Sequence, residues 1–224
     1  MKCIKLIIIM ICMSFIQLSH AGILLGATRV IIENGRNEGS VNVHNREDNN
    51  YLIQSWVLDK SENPTEDIVL TPPLFKLSAN TSNALRIVLV KNLPQDRETL
   101  YWLNVKFIPS VEKNKIDNNS LKFALNNRIK IIYRPEPLAI ESINQEFDNI
   151  IIQKLGKNLR IKNPTKYYFN ISDVSINKQR LNKPSFIEPD SEVFLELPEN
   201  NNSGNLEYVL IDDLGKLNSF NINI

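Results

Sequence analysis

Beyond residue 13 the chain holds no sulfur. Both cysteines (Cys3, Cys12) and all three methionines (Met1, Met10, Met13) stand before that point, and the two histidines are His20 and His44. Once the first segment is gone, thiol chemistry, zinc fingers and any metal site built on two imidazoles are excluded. A catalytic triad could draw on His44 alone. Glycine is scarce too. Gly22, Gly26, Gly35, Gly39, Gly156, Gly204 and Gly215 are scattered, and no phosphate-cradling loop can be made from them. Nor is there surplus charge: 26 Lys+Arg face 25 Asp+Glu. A bulk basic field that would favour nucleic acid is therefore missing.

What is present begins with a targeting signal. Lys2 and Lys5 form a short positive region, an apolar stretch runs from Leu6 to Met13, and Phe15, Ile16 and Leu18 extend it. Ser19 and Ala21 put small residues at −3 and −1 before Gly22. This is the pattern of a cleaved secretory signal, so residues 1–21 are expected to be removed. The apolar run is short for a bilayer, and stable membrane insertion is not expected. Losing Lys2 and Lys5 and no acid takes the formal charge from +1 to −1. An exported chain without cysteine has to draw its stability from apolar cores.

The rest reads as short β-type runs parted by polar turns. Ile23–Ile32, Val41–His44, Tyr51–Leu58, Ile68–Leu70, Leu74–Leu77, Ala84–Val90, Leu100–Ile108 and Leu121–Tyr133 come first. Arg134-Pro135-Glu136-Pro137 then breaks the pattern, because two prolines cannot continue a central strand. Strand-like runs resume at Ile150–Gln153, Asn158–Ile161, Tyr167–Ile171, Ser191–Leu197, Leu206–Ile211 and Leu217–Ile222. Their Val, Ile, Leu, Tyr and Phe content and their spacing predict antiparallel sandwiches. No amphipathic helix of three turns stands out. Asparagine-rich links such as Asn49-Asn50, Asn118-Asn119 and Asn200–Asn202 are expected to make turns, since Asn tolerates the left-handed conformation. The expectation is all-β: a first domain over 22–136 and a second over 137–224, joined by a stiff elbow.

Three groups of residues invite chemistry. Arg29 and Lys130 each sit inside an apolar strand run. A charge there is costly unless paired, or it lies at an edge or surface. Leu121, Phe123 and Leu125 are spaced by two and project on one face of a strand. That face meets either the chain's own core or a partner. Acid pairs such as Asp96/Glu98 and Asp212/Asp213 could do acid–base work, but carboxylates in strand-turn segments are more often solvated.

Leu93-Pro94-Gln95-Asp96-Arg97-Glu98-Thr99-Leu100-Tyr101-Trp102-Leu103-Asn104-Val105 closely resembles the signature of periplasmic pilus-assembly chaperones. Thr28-Arg29, Thr71-Pro72-Pro73, Ile129–Pro135, Asn163-Pro164-Thr165 and Tyr167-Tyr168 match further, in the family's order. The resemblance implies two immunoglobulin-like β-sandwich domains in a boomerang. It implies that Leu121, Phe123 and Leu125 form a donor strand lent to pilus subunits, and that Arg29 and Lys130 hold the subunit's C-terminal carboxylate. It implies an inter-domain salt bridge of Glu98, Arg134 and Asp213, with Asp212 a possible confusion by one place. It implies no enzyme activity, no cofactor, a periplasmic location and delivery of clients to an outer-membrane usher. The short link between Pro109 and Leu121 and the missing cysteine pair resemble the short-loop branch of the family. Ser110 and Lys166 depart from the usual prolines, and the chain ends at Ile224 without the second-domain cysteine pair of some members. The rival reading is an exported immunoglobulin-like adhesin or fibre subunit. It is disfavoured because Gly22-Ile23-Leu24-Leu25 leaves little room for a donor extension.

Overall fold

A computed structural model describes residues 22–33, 35–110, 123–200 and 202–224. The first sandwich has one sheet of β1 (Ile23–Leu25), β3 (Glu38–Asn45), β7 (Ser82–Leu89) and β5 (Ile68–Thr71), in that order. Facing it are β2 (Arg29–Ile32), β9 (Leu125–Tyr133), β8 (Thr99–Pro109), β4 (Tyr51–Asp59) and β6 (Leu74–Leu77). Alternation sends Val41, Val43, Leu85 and Ile87 inward from one sheet and Ile53, Leu103, Val105, Phe107 and Ile131 inward from the other. Burial of these side chains, at about 25 cal/mol per Å² of apolar surface, is the driving term.

The second sandwich packs β10 (Ile151–Leu155), β11 (Asn158–Asn163) and β15 (Ser191–Glu196) against a larger sheet. That sheet runs β13 (Gln179–Arg180), β12 (Phe169–Ile176), β16 (Asn205–Ile211) and β17 (Leu217–Asn223), with β14 (Phe186–Ile187) also on β12. Its core gathers Leu159, Ile161, Phe169, Val174, Ile176, Leu206 and Leu210. Edge-on contacts of Phe147 with Phe169 and with Phe220 complete it.

The all-β reading holds, with local differences. The first run is two strands. Ile23–Leu25 pairs antiparallel with β3, the chain then crosses between sheets, and Arg29–Ile32 pairs parallel with β9. Gly26 marks the crossing: its N–H bonds to the Asn42 carbonyl at 2.7 Å, and an added Cβ would press on the His44 ring. One segment thus supplies an edge strand to each sheet. The short strands β13 and β14 have too few residues to show a period. Ile143–Asn149 winds into 3-10 turns that bury Ile143 and Phe147, with the Ser142 hydroxyl accepting from the Asn144 N–H. Glu136–Leu138 forms another such turn at the proline-rich joint. The left-handed asparagines are Asn80 and Asn177 rather than Asn49 or Asn50; Asn118-Asn119 falls outside the described residues.

Leu103 is fully buried in the first core. Leu103→Ala should cost about 2–5 kcal/mol. The measurement is a lowered urea midpoint in the fluorescence of Trp56 and Trp102, which lie on β4 and β8 of that sandwich.

Candidate binding cleft

The second sheet of the first sandwich has two faces. Odd positions of β8 and β9 feed the core; Leu100, Trp102, Lys130 and Ile132 face the other way. They meet the second sandwich: Leu100, Ile132 and Tyr168 are buried together, with Ile31, Trp102 and Phe186 packed around them. Trp102 and Tyr168 both make tilted or edge contacts with Phe186, at centroid distances of 6.1 and 5.6 Å. This apolar patch joins the two bodies.

On one side of it lies a buried ion cluster. Arg134 is 1% exposed. Its Nε donates to Glu98 Oε1 at 2.7 Å, and its Nη1 and Nη2 donate to Asp213 Oδ2 and Oδ1 at 2.9 and 3.2 Å. Nη1 also reaches Glu33 at 3.2 Å, a contact the sequence does not suggest. The other Glu98 oxygen accepts from the Tyr168 N–H at 2.6 Å. Burial pulls the Arg134 guanidinium down, but Asp213 and Glu98 more than offset it and hold its pKa above the ordinary value. Burial pushes the Glu98 carboxyl the other way, upward, against the pull of Arg134. Both Glu98 oxygens accept from groups that can only donate, so the geometry holds the carboxylate form. Asp212 plays a different part. It is buried and accepts from the N–H groups of Leu214 and Lys216, shaping the β16–β17 turn that presents Asp213.

The Asn-Pro-Thr motif is also structural. The buried Asn163 amide donates to the carbonyls of Tyr167 and Glu188, and its oxygen accepts from Thr165. That turn delivers the Tyr168 N–H to Glu98.

On the other side lie uncommitted cations. The parallel register makes Arg29 and Lys130 direct neighbours, so both point into the cleft. Arg29 Nε and Nη1 are buried with no hydrogen-bond partner among the described residues. Lys130 Nζ donates to the Asn170 side-chain oxygen at 2.6 Å and the Ser185 carbonyl at 3.0 Å, both neutral. It stands 5.1 Å from the Phe186 ring centroid and 5.7 Å from that of Trp102. Burial lowers Arg29. Burial, then Arg29 and Lys183, lowers Lys130 to about 7. Lys183 donates to the Ile171 carbonyl nearby, and Arg128 stacks over Trp102 at 4.0 Å while pairing with Glu62. Buried cations, one with donors lacking acceptors and the other met by neutral oxygens alone, have the chemistry to take a carboxylate.

Of the candidate donor residues, Leu125 opens β9 opposite Phe107 and Phe123 precedes the strand. Leu121 lies outside the described residues, as does the link at 111–122. Phe123 is 69% and Leu125 57% exposed. Asn126 turns to the opposite face, towards Asn104. His44 sits on β3, its Nδ1 2.7 Å from the Ser82 hydroxyl. Among the described residues there is no group of three or more His, Cys, Asp or Glu that could hold a metal, and no helix is long and apolar enough to cross a membrane.

Two sandwiches meet at a cationic cleft, and an apolar strand start is left open beside it. The family described as "Pili and flagellar-assembly chaperone, PapD N-terminal domain" matches residues 22–139, and "Pili assembly chaperone PapD, C-terminal domain" matches 145–221. The chain belongs to this family of pilus-assembly chaperones. It is 36% identical over 206 residues to chaperone protein FocC of Escherichia coli, covering 91% of this chain and 90% of that protein. It is 38% identical over 202 residues to chaperone protein FimC of Escherichia coli K12, covering 89% and 83%. Among solved structures, the complex of Salmonella enterica SafA pilin with the SafB chaperone aligns with a TM-score of 0.79 at 29% identity, over 91% of this chain and 96% of that one.

Arg134→Ala would strand Glu98 as an uncompensated buried charge. The expected loss is about 3–5 kcal/mol. Adding Glu98→Gln to Arg134→Ala should recover part of it, since the stranded charge is then gone. Urea unfolding of the single and double variants checks both.

Proposed function

We propose that this protein is a periplasmic chaperone that binds pilus subunits singly, completes their fold with a strand of its own and passes them to an outer-membrane usher. It works by stoichiometric binding, without catalysis, nucleotide or cofactor. Its client is a subunit lacking its last strand, whose groove exposes core side chains and unpaired backbone groups. Residues 22–136 form the subunit-binding domain and 137–224 the second, with the joint at Arg134–Pro137. We assign the chain to the short-loop branch.

The observation that carries the reading is the Arg29–Lys130 pair. Two cations sit side by side in a partly desolvated cleft, and no carboxylate of the chain hydrogen-bonds to either among the described residues. A subunit's C-terminal carboxylate would satisfy the fork of Arg29 and the point charge of Lys130 together. Held there, the terminus sets the register of the subunit along β9.

Strand donation by Leu121, Phe123 and Leu125 has its own support. β2 covers β9 from Lys130 to Tyr133, so among the described residues the edge from Leu125 to Ile129 carries no strand beside it on that side. An open edge supplies main-chain affinity, and alternate apolar side chains fill a groove. Two large apolar groups left as exposed as Phe123 and Leu125 fit a surface that a partner covers. The Glu98–Arg134–Asp213 cluster serves this function by fixing the angle between the sandwiches, and with it the width of the cleft.

The test uses a synthetic peptide of alternating Val and Thr with a free C-terminal carboxylate, and the same peptide amidated. The wild-type protein should prefer the acid by about tenfold or more, the worth of a hydrogen bond to a charged group. Arg29→Ala and Lys130→Ala should erase that preference and lose a co-expressed subunit on purification, with far-UV circular dichroism unchanged. Retained subunit binding in both variants would sink the assignment.

A further inference from the structure

Lys130 has a flexible four-carbon stem, yet its ammonium is fixed from the opposite body. Asn170 lies on β12 of the second sandwich, between Phe186 and Ile211 in register, and is 3% exposed. Its side-chain oxygen accepts from Lys130 Nζ at 2.6 Å. The Ser185 carbonyl, itself fixed by the Ile171 N–H at 3.1 Å, accepts at 3.0 Å. The charged groups that act on Lys130 are Arg29 on β2 and Lys183 ahead of β14, both cations. Arg128, on the same strand, is engaged with Trp102 and Glu62. Asp212 and Asp213 act on Arg29.

A neutral acceptor and an anionic one would do different things here. A carboxylate at Asn170 would hold the ammonium but also neutralise it. The cleft would then be filled by the protein's own ion pair and would repel an incoming carboxylate. An amide oxygen fixes the geometry and leaves the charge available. We infer that Asn170 is a positioning residue that holds the Lys130 ammonium beside Arg29, in place for a client's C-terminal carboxylate, and that its neutrality is the property the site uses. This rests on the carboxylate-binding reading of Arg29 and Lys130 given above.

The inference carries a pH signature. Burial beside two cations leaves Lys130 near 7, below its ordinary 10.5. A bound carboxylate raises that value, so the complex holds more protons than the free protein above about pH 7. Affinity for the free-acid peptide should therefore fall as pH rises through that range. Arg29 keeps its charge throughout.

The experiment measures binding of the Val-Thr peptide acid and its amide from pH 6 to pH 9, with ¹⁵N NMR of the Lys130 Nζ in the free protein. Asn170→Ala should weaken acid binding about tenfold, the scale of a hydrogen bond to a charged group. Asn170→Asp, the same shape with a charge, should weaken it more than Asn170→Ala does. It should also move the Lys130 titration upward and flatten the pH dependence of binding. Amide binding should change little in either variant. If Asn170→Asp binds the acid as well as the wild type with the same pH profile, the inference is overturned. The same holds if Asn170→Ala is within twofold of wild type. If the wild-type protein does not prefer the acid, or Arg29→Ala and Lys130→Ala keep the preference, the underlying reading of the cleft fails, and this inference with it.

Discussion

One buried guanidinium organises the molecule. Arg134 closes β9, and its donors collect Glu98 from the start of β8, Asp213 from the β16–β17 turn and Glu33 from the end of β2. A buried cation without such partners would cost several kcal/mol, so each carboxylate is drawn to a fixed place. Glu98 in turn takes the Tyr168 N–H, which the Asn163 turn presents. From there the rings of Tyr168 and Phe186 reach Leu100, Ile132 and Trp102. A flexible tether of apolar contacts alone would leave the angle free. A guanidinium with fixed forks does not, because its hydrogen bonds are directional.

The same angle decides what Lys130 touches. Asn170 and Ser185 belong to the second sandwich, and they reach Lys130 only while the bodies keep their present relation. The elbow is therefore part of the proposed binding site. Its energetic content is specificity of arrangement more than global stability, since burying ions returns little net free energy. The apolar cores of the two sandwiches carry the stability, as a chain with no cysteine beyond residue 12 requires.

Much of this was legible in the sequence. Period-two runs of Val, Ile and Leu marked most strands, and the Pro135/Pro137 pair fell where strand gives way to a 3-10 turn. What period-two patterning does not contain is partner choice. Ile23–Ile32 reads as one strand because both halves are apolar, yet a crossing at Gly26 gives them different sheets. The Arg29–Lys130 contact depends on a parallel pairing between segments a hundred residues apart, which no local signal carries. Asp212 and Asp213 are indistinguishable as letters. They separate only when the turn aims one at backbone N–H groups and the other at Arg134. Asn170 left no trace, because one polar residue in a strand looks like any outward position. Tyr168 was hidden for a related reason: an aromatic residue in a strand run reads as core, whichever core it serves, while Phe186 sits in a two-residue strand too short to show a pattern.

Lys130 and Arg134 make the separation of roles plain. Lys130 lies on β9 and Arg134 directly follows its last residue, four positions on, and each is turned away from the first core. In the sequence both are cations, Lys130 beside isoleucine within the apolar run and Arg134 beside tyrosine at its end. Around Arg134 the fold gathers carboxylates until its charge is answered, and the pKa moves up. Around Lys130 it offers carbonyl oxygens and two more cations, and the pKa moves down. An answered charge is structure, since removing a partner exposes the full desolvation cost. An unanswered one stores that cost and releases it to whatever anion arrives. On the proposed reading the cleft is strained in the direction of its ligand: the free protein bears the desolvation of Arg29 and Lys130, and a subunit's carboxylate would relieve it. Rigid placement by neutral groups lets that relief be collected at one position. This is why a fixed elbow and an uncharged cleft floor belong to the same design.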